Sequence, residues 1–241
     1  MRTGGVTLVL GNDEAIRDNV PVSVLSEKFD FIKDLVEERG ASEPRISLPQ
    51  VSVRGFDLAV QFFICGDVGL GNKTTNEERV SSILELIDAA IELDALEVWF
   101  LIHKVVVKLK AILTGDYLAL KSSHIREAYN LRDYGVDVQN LFVSVAALRF
   151  LIDQDDDSDG DDEKDEIIEM SAARQAAYSG SGFVFHREMR DIHDFERSVW
   201  KAARNCLASR KKEVKKARHG KFPEIAIPVF TDPLTKKSFY L

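Results

Sequence analysis

Two apolar helical patterns stand almost end to end in this chain. Ser81 to Leu93 and Ala95 to Leu113 are separated by the single residue Asp94, and a link that short forces consecutive helices to pack as close neighbours. Within the segment LIDAAIELDAL, Leu86, Leu93 and Leu96 supply an apolar stripe, while the small Ala89 and Ala90 permit another helix to approach. That face is core, not chemistry. The second pattern is the greasiest part of the chain, yet Glu97, His103, Lys104, Lys108 and Lys110 interrupt it. Nowhere does an apolar run of about 18 residues offer a membrane span. Hydrophobic residues at 45% and charged residues at 30% give an ordinary globular balance, which excludes disorder of the whole chain. With 241 residues there is room for one sizeable domain with an extension, or for two small ones.

Upstream of the paired helices, Val6 to Leu10 has strand composition, Gly11-Asn12-Asp13 is a turn signal, and Ala15 to Asn19 completes an opening hairpin. Ser26 is placed to cap a helix in which Phe29, Ile32, Leu35 and Val36 recur at helical spacing until Gly40 stops it. Pro44 to Leu48 reads as a third strand, and Ser52 starts a helix carrying Phe56, Leu58, Ala59, Phe62 and Phe63. The polar, Gly-containing stretch from Gly66 to Glu78 reads as a surface loop. Downstream, Ser123 introduces a helix from His124 to Leu131, and Val136 to Ile152 forms a more apolar one. There follow a helical run from Ile167 to Ala177, a break at Ser179 to Gly182, and a long amphipathic helix with Met189, Ile192, Phe195, Val199, Ala203 and Leu207 on one face. Pro223 to Phe230 has strand composition.

The net charge of -8 conceals a segregation: residues 153 to 166 are almost all acidic, while residues 204 to 221 are strongly basic. The acidic run is too charged to bury and reads as a solvated linker or a docking strip for a basic partner. Asp155 to Asp159, Gly160 and Glu166 formally satisfy a calcium-loop pattern, but Asp162 stands where that pattern wants an apolar residue, and no second loop pairs with it. Gly66 to Thr75 looks like a phosphate loop until Asn72 is seen to separate Gly71 from Lys73. His186, Glu188, Asp191, His193 and Asp194 cluster near a helix start without the spacing of a metal site. Cys65 and Cys206 sit far apart in apolar helical patterns and read as reduced core thiols. Neither a Ser, His and Asp set nor a Cys with a His partner stands out, so no catalytic residue, metal or cofactor is expected. The basic residues Arg210, Lys211, Lys212, Lys215, Lys216 and Arg218 stay open between three roles: a solvated helix end, an import signal or nucleic-acid contact, and an acidic-protein contact. Met1 to Gly5 leads straight towards a strand without an apolar signal segment, so secretion is not expected.

Three short motifs carry a family resemblance. Leu86-Ile87, Ala89-Ala90 and Leu93-Asp94 are similar to the Leu-Ile-x-Ala-Ala-x-x-Leu-Asp pattern of Skp-type adaptors. His124-Ile125-Arg126-Glu127-Ala128-Tyr129-Asn130-Leu131 resembles the Glu-Ile-Arg-x-x-Phe-Asn-Ile helix that follows it there, and Leu48-Pro49-Gln50-Val51 resembles the family's Leu-Pro-Asn-Val turn. With the order hairpin, helix, strand, helix, loop and paired helices, residues 5 to 135 resemble a divergent member of the BTB/POZ fold family of Skp type, the adaptors of cullin ubiquitin ligases. The resemblance implies an α/β (α+β) fold. A BTB/POZ-like core with a small sheet and helix pairs would span 1–113, and Skp-like partner-binding helices 114–152. An acidic linker at 153–166 and a mainly helical C-terminal extension with a basic tail at 167–241 would complete the chain.

Functionally, the resemblance implies an adaptor rather than an enzyme, cytoplasmic or nuclear, with protein partners and no membrane. Ile125, Arg126, Tyr129, Asn130 and Leu131 would face an F-box-type protein. At the cullin-side positions the family's Asn-Tyr pair is replaced by Ile91-Glu92, which changes both shape and charge. Apolar spacing alone leaves open whether Ile125, Tyr129 and Leu131 meet a partner or pack onto this chain's own core. Two further readings stand beside this one: a self-associating BTB scaffold in a nuclear complex, and a nucleic-acid binder acting through the basic tail.

Overall fold

Val6 to Leu10 lies in the middle strand of a three-stranded sheet. β1 (Gly5–Leu10) pairs antiparallel with β2 (Ala15–Pro21) and parallel with β3 (Arg45–Leu48), giving the order β2-β1-β3. Val6, Leu8, Val9 and Leu10 are all buried, and a continuous apolar run is what a strand covered on both faces requires. In this computed structural model the described residues are 5–11, 15–39, 45–71, 74–155, 183–218, 229–231 and 238–240. Between β2 and β3 the chain passes through α1 (Val22–Ser26) and α2 (Asp30–Arg39). Ser26 therefore ends α1 instead of capping α2, while Phe29 and Ile32 are buried as their spacing predicts.

Ser52 sets the next helix, α3 (Val53–Cys65): its Oγ accepts the Gly55 N–H at 2.9 Å and donates to Glu85 Oε2 at 2.8 Å. Gly66, in the left-handed region at φ 73°, stops it. α4 (Asn76–Glu92) starts inside the stretch read from sequence as loop. Thr75 Oγ1 accepts the Glu78 N–H at 3.2 Å, and the Glu78 carboxylate accepts the Thr75 N–H at 2.8 Å. This reciprocal cap satisfies two helix-end donors and holds the Glu78 carboxyl below its ordinary range, the Thr75 backbone bond contributing most. α3 and α4 meet at small residues. A Cβ built on Gly55 would fall 2.5 Å from the Glu85 carbonyl oxygen and 3.1 Å from Ala89 Cβ, so nothing larger than glycine fits without displacing backbone. Ala89 is buried at this seam, the close approach its size predicts, and Ala90 beside it is buried as well.

The link to α5 (Val98–Gly115) runs from Leu93 to Glu97 instead of the single Asp94 expected from sequence, and Asp94 turns the chain there at φ 50°, a left-handed conformation that Asp tolerates better than most residues. Its carbonyl accepts the Asp30 N–H at 3.2 Å, the Leu96 N–H donates to the Lys28 carbonyl at 3.2 Å, and Phe29 bridges Ala95 in strand fashion. Alternation along that bridge buries Ala95 and turns Leu96 outward, so Leu96 does not join the buried stripe of Leu86 and Leu93. Cys65, the last residue of α3, is likewise exposed, whereas Cys206 is buried.

The chain forms two compact units, one from residues 1–112 with 127–137 and the other from 113–126 with 138–241. The stretch 114–152 is thus shared between the units. In the second unit, a 3₁₀ turn at Tyr117–Ala119 precedes α6 (Ser122–Asn130), which crosses from one unit to the other, and α7 (Val136–Asp155) follows. α7 runs three residues into the acidic run, and Asp156 to Glu166 lies outside the described residues, as do the expected helix at Ile167 to Ala177 and the break at Ser179 to Gly182. α8 (His186–Asp191) and α9 (His193–Arg218) replace the single amphipathic helix read from sequence. Ile192, at φ -119° and ψ 93°, breaks the helix and leaves Met189 on the shorter piece. α9 is followed by a hairpin of β4 (Val229–Thr231) and β5 (Ser238–Tyr240), and the strand expected at Pro223 to Phe230 is described only from Val229.

The core of this unit is aromatic. Phe150 lies edge-on to Phe183 at 5.4 Å and to Trp200 at 5.0 Å, Phe183 contacts Phe185 at 5.6 Å, and Phe185 contacts Phe195 at 6.5 Å. Arg149 places its guanidinium 4.9 Å from the Phe185 ring and donates to the Leu120 carbonyl at 3.2 Å. At the coarse level the chain is α+β, predominantly helical with small sheets.

Candidate partner interface

α6 was the sequence's first choice for a partner surface, and its residues divide sharply. Ile125 and Leu131 are buried, with Ala128 between them. They pack within the chain, which removes them from any partner-facing surface; apolar residues spaced to line one side of a helix serve an inner neighbour as well as an outer one. His124 is buried too, its Nδ1 accepting the Lys121 N–H at 3.2 Å at the helix start.

Arg126 is engaged by the chain's own carboxylates. Its Nε donates to Glu188 Oε1 at 3.0 Å and its terminal nitrogen to Asp191 Oδ2 at 2.9 Å. The Glu188 side chain is only 2% exposed, and the Ser122 hydroxyl supplies its second oxygen with a hydrogen bond at 2.8 Å. A carboxylate so buried needs partners on both oxygens, because desolvation without them costs several kcal/mol or more. Asp191, which also accepts from Arg190 Nε at 3.2 Å, is held below the usual carboxylate range by Arg126 first and Arg190 second. The Arg126 guanidinium is correspondingly raised by its bonds to Asp191 and then Glu188. Arg126 is therefore a clasp between α6 and α8 within one unit. Of the residues expected at the partner side, Asn130 stays exposed and Tyr129 half-buried.

Glu127, one residue on, belongs to the other unit. Partial burial, and after it the negative charges of Glu85 and Asp88 on α4, push its carboxyl above the ordinary range. Ile91 and Glu92, the cullin-side positions, end α4 and are half-buried.

α5 shows the opposite disposition. Leu96 just before it, and Trp99, Phe100 and Val107 along it, are 58%, 61%, 49% and 60% exposed. Within the helix Trp99, Phe100 and Val107 fall in an arc of about 100° on one side, and Leu96 stands just before its first turn. Phe100 lies 6.3 Å from the buried Phe62, and Trp99 lies 5.0 Å from Tyr134, so the two rings stand on a packed base with their outer faces towards solvent. Scattered exposed apolar residues are normal, but three large ones along one helix with a fourth just before it form a patch of the kind that marks interaction surfaces. The apolar pattern from Ala95 to Leu113 holds all four residues, Leu96 among them as part of the expected buried stripe, and nothing in a helical pattern says which of two apolar faces is covered.

A hollow of about 320 Å³ beside the loop after α3 is lined by Val68, Leu70, Arg79, Lys108, Ala111 and Ile112. Lys108 is tied there to Asp67 and the Val68 carbonyl, and Arg79 donates to Thr74 Oγ1 at 3.3 Å. Asp67 is lowered chiefly by its hydrogen bond from Lys108. Both cations thus serve the loop itself. Among the described residues, no group of His, Cys, Asp and Glu is arranged to hold a metal, and no helix is long and apolar enough to cross a membrane. His186 and His193 fall on separate helices, and His193 Nδ1 lies 3.4 Å from Glu196. Arg210, Lys211, Lys212, Lys215, Lys216 and Arg218 lie in the last turns of α9.

No protein-family model matches this chain, and a search of curated proteins returns no match.

Proposed function

We propose that this chain is a protein-interaction adaptor of Skp type, with its primary partner surface on α5 and the adjoining end of α4. The exposed apolar face of Leu96, Trp99, Phe100 and Val107 carries the reading, because a stripe of this kind on a helix already packed from behind is stabilised by a partner rather than by the chain. It adjoins the Ile91-Glu92 positions at which the Skp resemblance places a cullin. Asn130 and Tyr129 remain as a smaller contact on α6 for an F-box-type partner. The order of hairpin, parallel third strand and tightly seamed α3 and α4 supports a BTB/POZ-like core.

The test is affinity capture of the tagged full chain from cells, run beside a Trp99→Ala, Phe100→Ala double variant and a Tyr129→Ala, Asn130→Ala double variant. Recovery of a cullin or an F-box protein that the α5 variant loses would support the adaptor role. Recovery of nothing but the chain itself, or of nucleic acid alone, would overturn it.

A further inference from the structure

We infer that the partner seated on α5 is an amphipathic helix whose polar flank is acidic; this rests on the adaptor reading and names the chemistry of its partner. α5 offers no open backbone edge, since its N–H and carbonyl groups are engaged in the helix, so a docking segment must satisfy its own backbone. A second helix does so and lays side chains between those of α5. The stripe from Leu96 to Lys110 spans about 20 Å at the rise of an α-helix, the length of four turns of a partner helix.

Charge decides the flank. From Val98 to Ile112 the sequence contains no carboxylate, and the exposed charged or titratable residues are His103, Lys104 and Lys110. His103 and Lys110 fall on the same side as Trp99, Phe100 and Val107, and Lys104 borders it with its ammonium 5.0 Å from the Phe100 ring centroid. On α5 and its approach the carboxylates are Asp94 and Glu97 at the other end, both exposed, and from the loop after α3 the exposed Asp67 reaches the second half, where it pairs with Lys108 and is attracted by Lys104. The face is thus apolar along its length, and over its second half Lys104, Lys108 and Lys110 outnumber the carboxylate of Asp67. An incoming helix with carboxylates over Lys104 and Lys110 pairs both cations and leaves His103 as a hydrogen-bond donor between them, and one that draws Lys104 aside uncovers the Phe100 ring for contact. A second copy of this chain is the competing occupant: paired antiparallel about the middle of the face it would bring Lys110 towards Asp94 and Glu97, but it would also set Lys104 near its own counterpart, which an acidic helix avoids.

Two synthetic helices, each about 18 residues or five turns long, test this. They share one leucine stripe and differ in flanks of glutamate or lysine. Binding of each, labelled, to the full chain is followed by fluorescence anisotropy, with sedimentation to report the oligomeric state and circular dichroism to verify that variants fold. The glutamate-flanked helix is expected to bind at least about tenfold more tightly than the lysine-flanked one. Trp99→Ala should weaken it by about tenfold or more, as loss of an aromatic anchor does. Lys104→Glu with Lys110→Glu should reverse the preference. Equal binding of the two helices, or tighter binding of the lysine-flanked one, overturns the acidic partner even if cellular capture through α5 succeeds. Binding of neither helix, with a dimer that Trp99→Ala dissolves, overturns it in favour of self-association. Conversely, a clear glutamate preference with no cullin or F-box protein in the capture leaves this inference standing and removes the Skp-type role.

Discussion

Arg126 on α6 and Lys104 on α5 are both cations at the edge of an apolar stripe, and their surroundings make them opposites. Arg126 is held by Glu188 and Asp191, and through Glu188 it shares a buried carboxylate with Ser122. Lys104 leans on an exposed aromatic ring. On α6 the apolar residues face inward and the polar ones complete the fold. On α5 the inward face is filled by Leu101, Ile102, Val105 and Leu109, and a second apolar face remains outside. A residue that neutralises a buried charge is part of the structure's stability, whereas an apolar residue left in water is one whose stabilisation awaits a partner.

The sharpest way to break this contrast is Ile125→Ala. Truncating a buried isoleucine should cost about 2–5 kcal/mol of stability, read from the denaturant midpoint at unchanged slope. A midpoint that does not move would return Ile125 to a partner surface. Next comes Glu188→Ala, which strips the Ser122 hydroxyl and one side of the Arg126 fork of their acceptor. A loss of about 1–3 kcal/mol is expected, with Glu188→Gln recovering part of it.

The titration of two carboxylates should sharpen the comparison by sign. Asp191 has a lowered folded value, so its contribution is complete above the ordinary carboxylate range and disappears as pH falls through that lowered value. Glu127 has a raised folded value, so its ionised form opposes folding at neutral pH and that penalty vanishes as pH falls below the ordinary range. Asp191→Asn should therefore flatten the acid side of the stability curve. Glu127→Gln should raise the midpoint slightly at neutral pH and leave it unchanged in acid. Both effects should be smaller than that of Glu188→Ala, because solvent screens partly exposed charges.

Trp99→Ala should move the midpoint least, by no more than about 0.5–1 kcal/mol from its contact with Tyr134, while abolishing capture. A loss as large as that of Ile125→Ala would make α5 an ordinary core helix and end the contrast.

Much of the core was legible in the sequence, because strand composition, turn residues and helical spacing act locally. The Gly11 turn, the Ser52 cap and the small-residue seam at Ala89 are all of this kind. Thr75 and Glu78 were legible too, as a capping box, but the polar run around them reads equally well as loop. The interface was harder. Ile125 and Trp99 both obey helical spacing, and the choice between inside and outside was made by residues distant in sequence: Glu188 and Asp191 arrive more than sixty positions after Arg126. Leu96 was misplaced for a related reason, since its direction is set by a strand-like bridge from Phe29 to Ala95 that no periodicity encodes.

The way the two units share the chain bears on how the molecule is made. The first unit is complete only with residues 127–137, and the second takes residues 113–126 before them. At ~5–20 residues per second, a ribosome that has just delivered residue 112 needs about one to five seconds more to supply residue 137. For that interval the nascent N-terminal unit lacks residues 127–137, and Trp99 lacks the Tyr134 ring against which it packs. Chaperone demand during synthesis should accordingly peak there, and a stop codon placed anywhere between the two positions should yield a fragment that is degraded, not a smaller working domain.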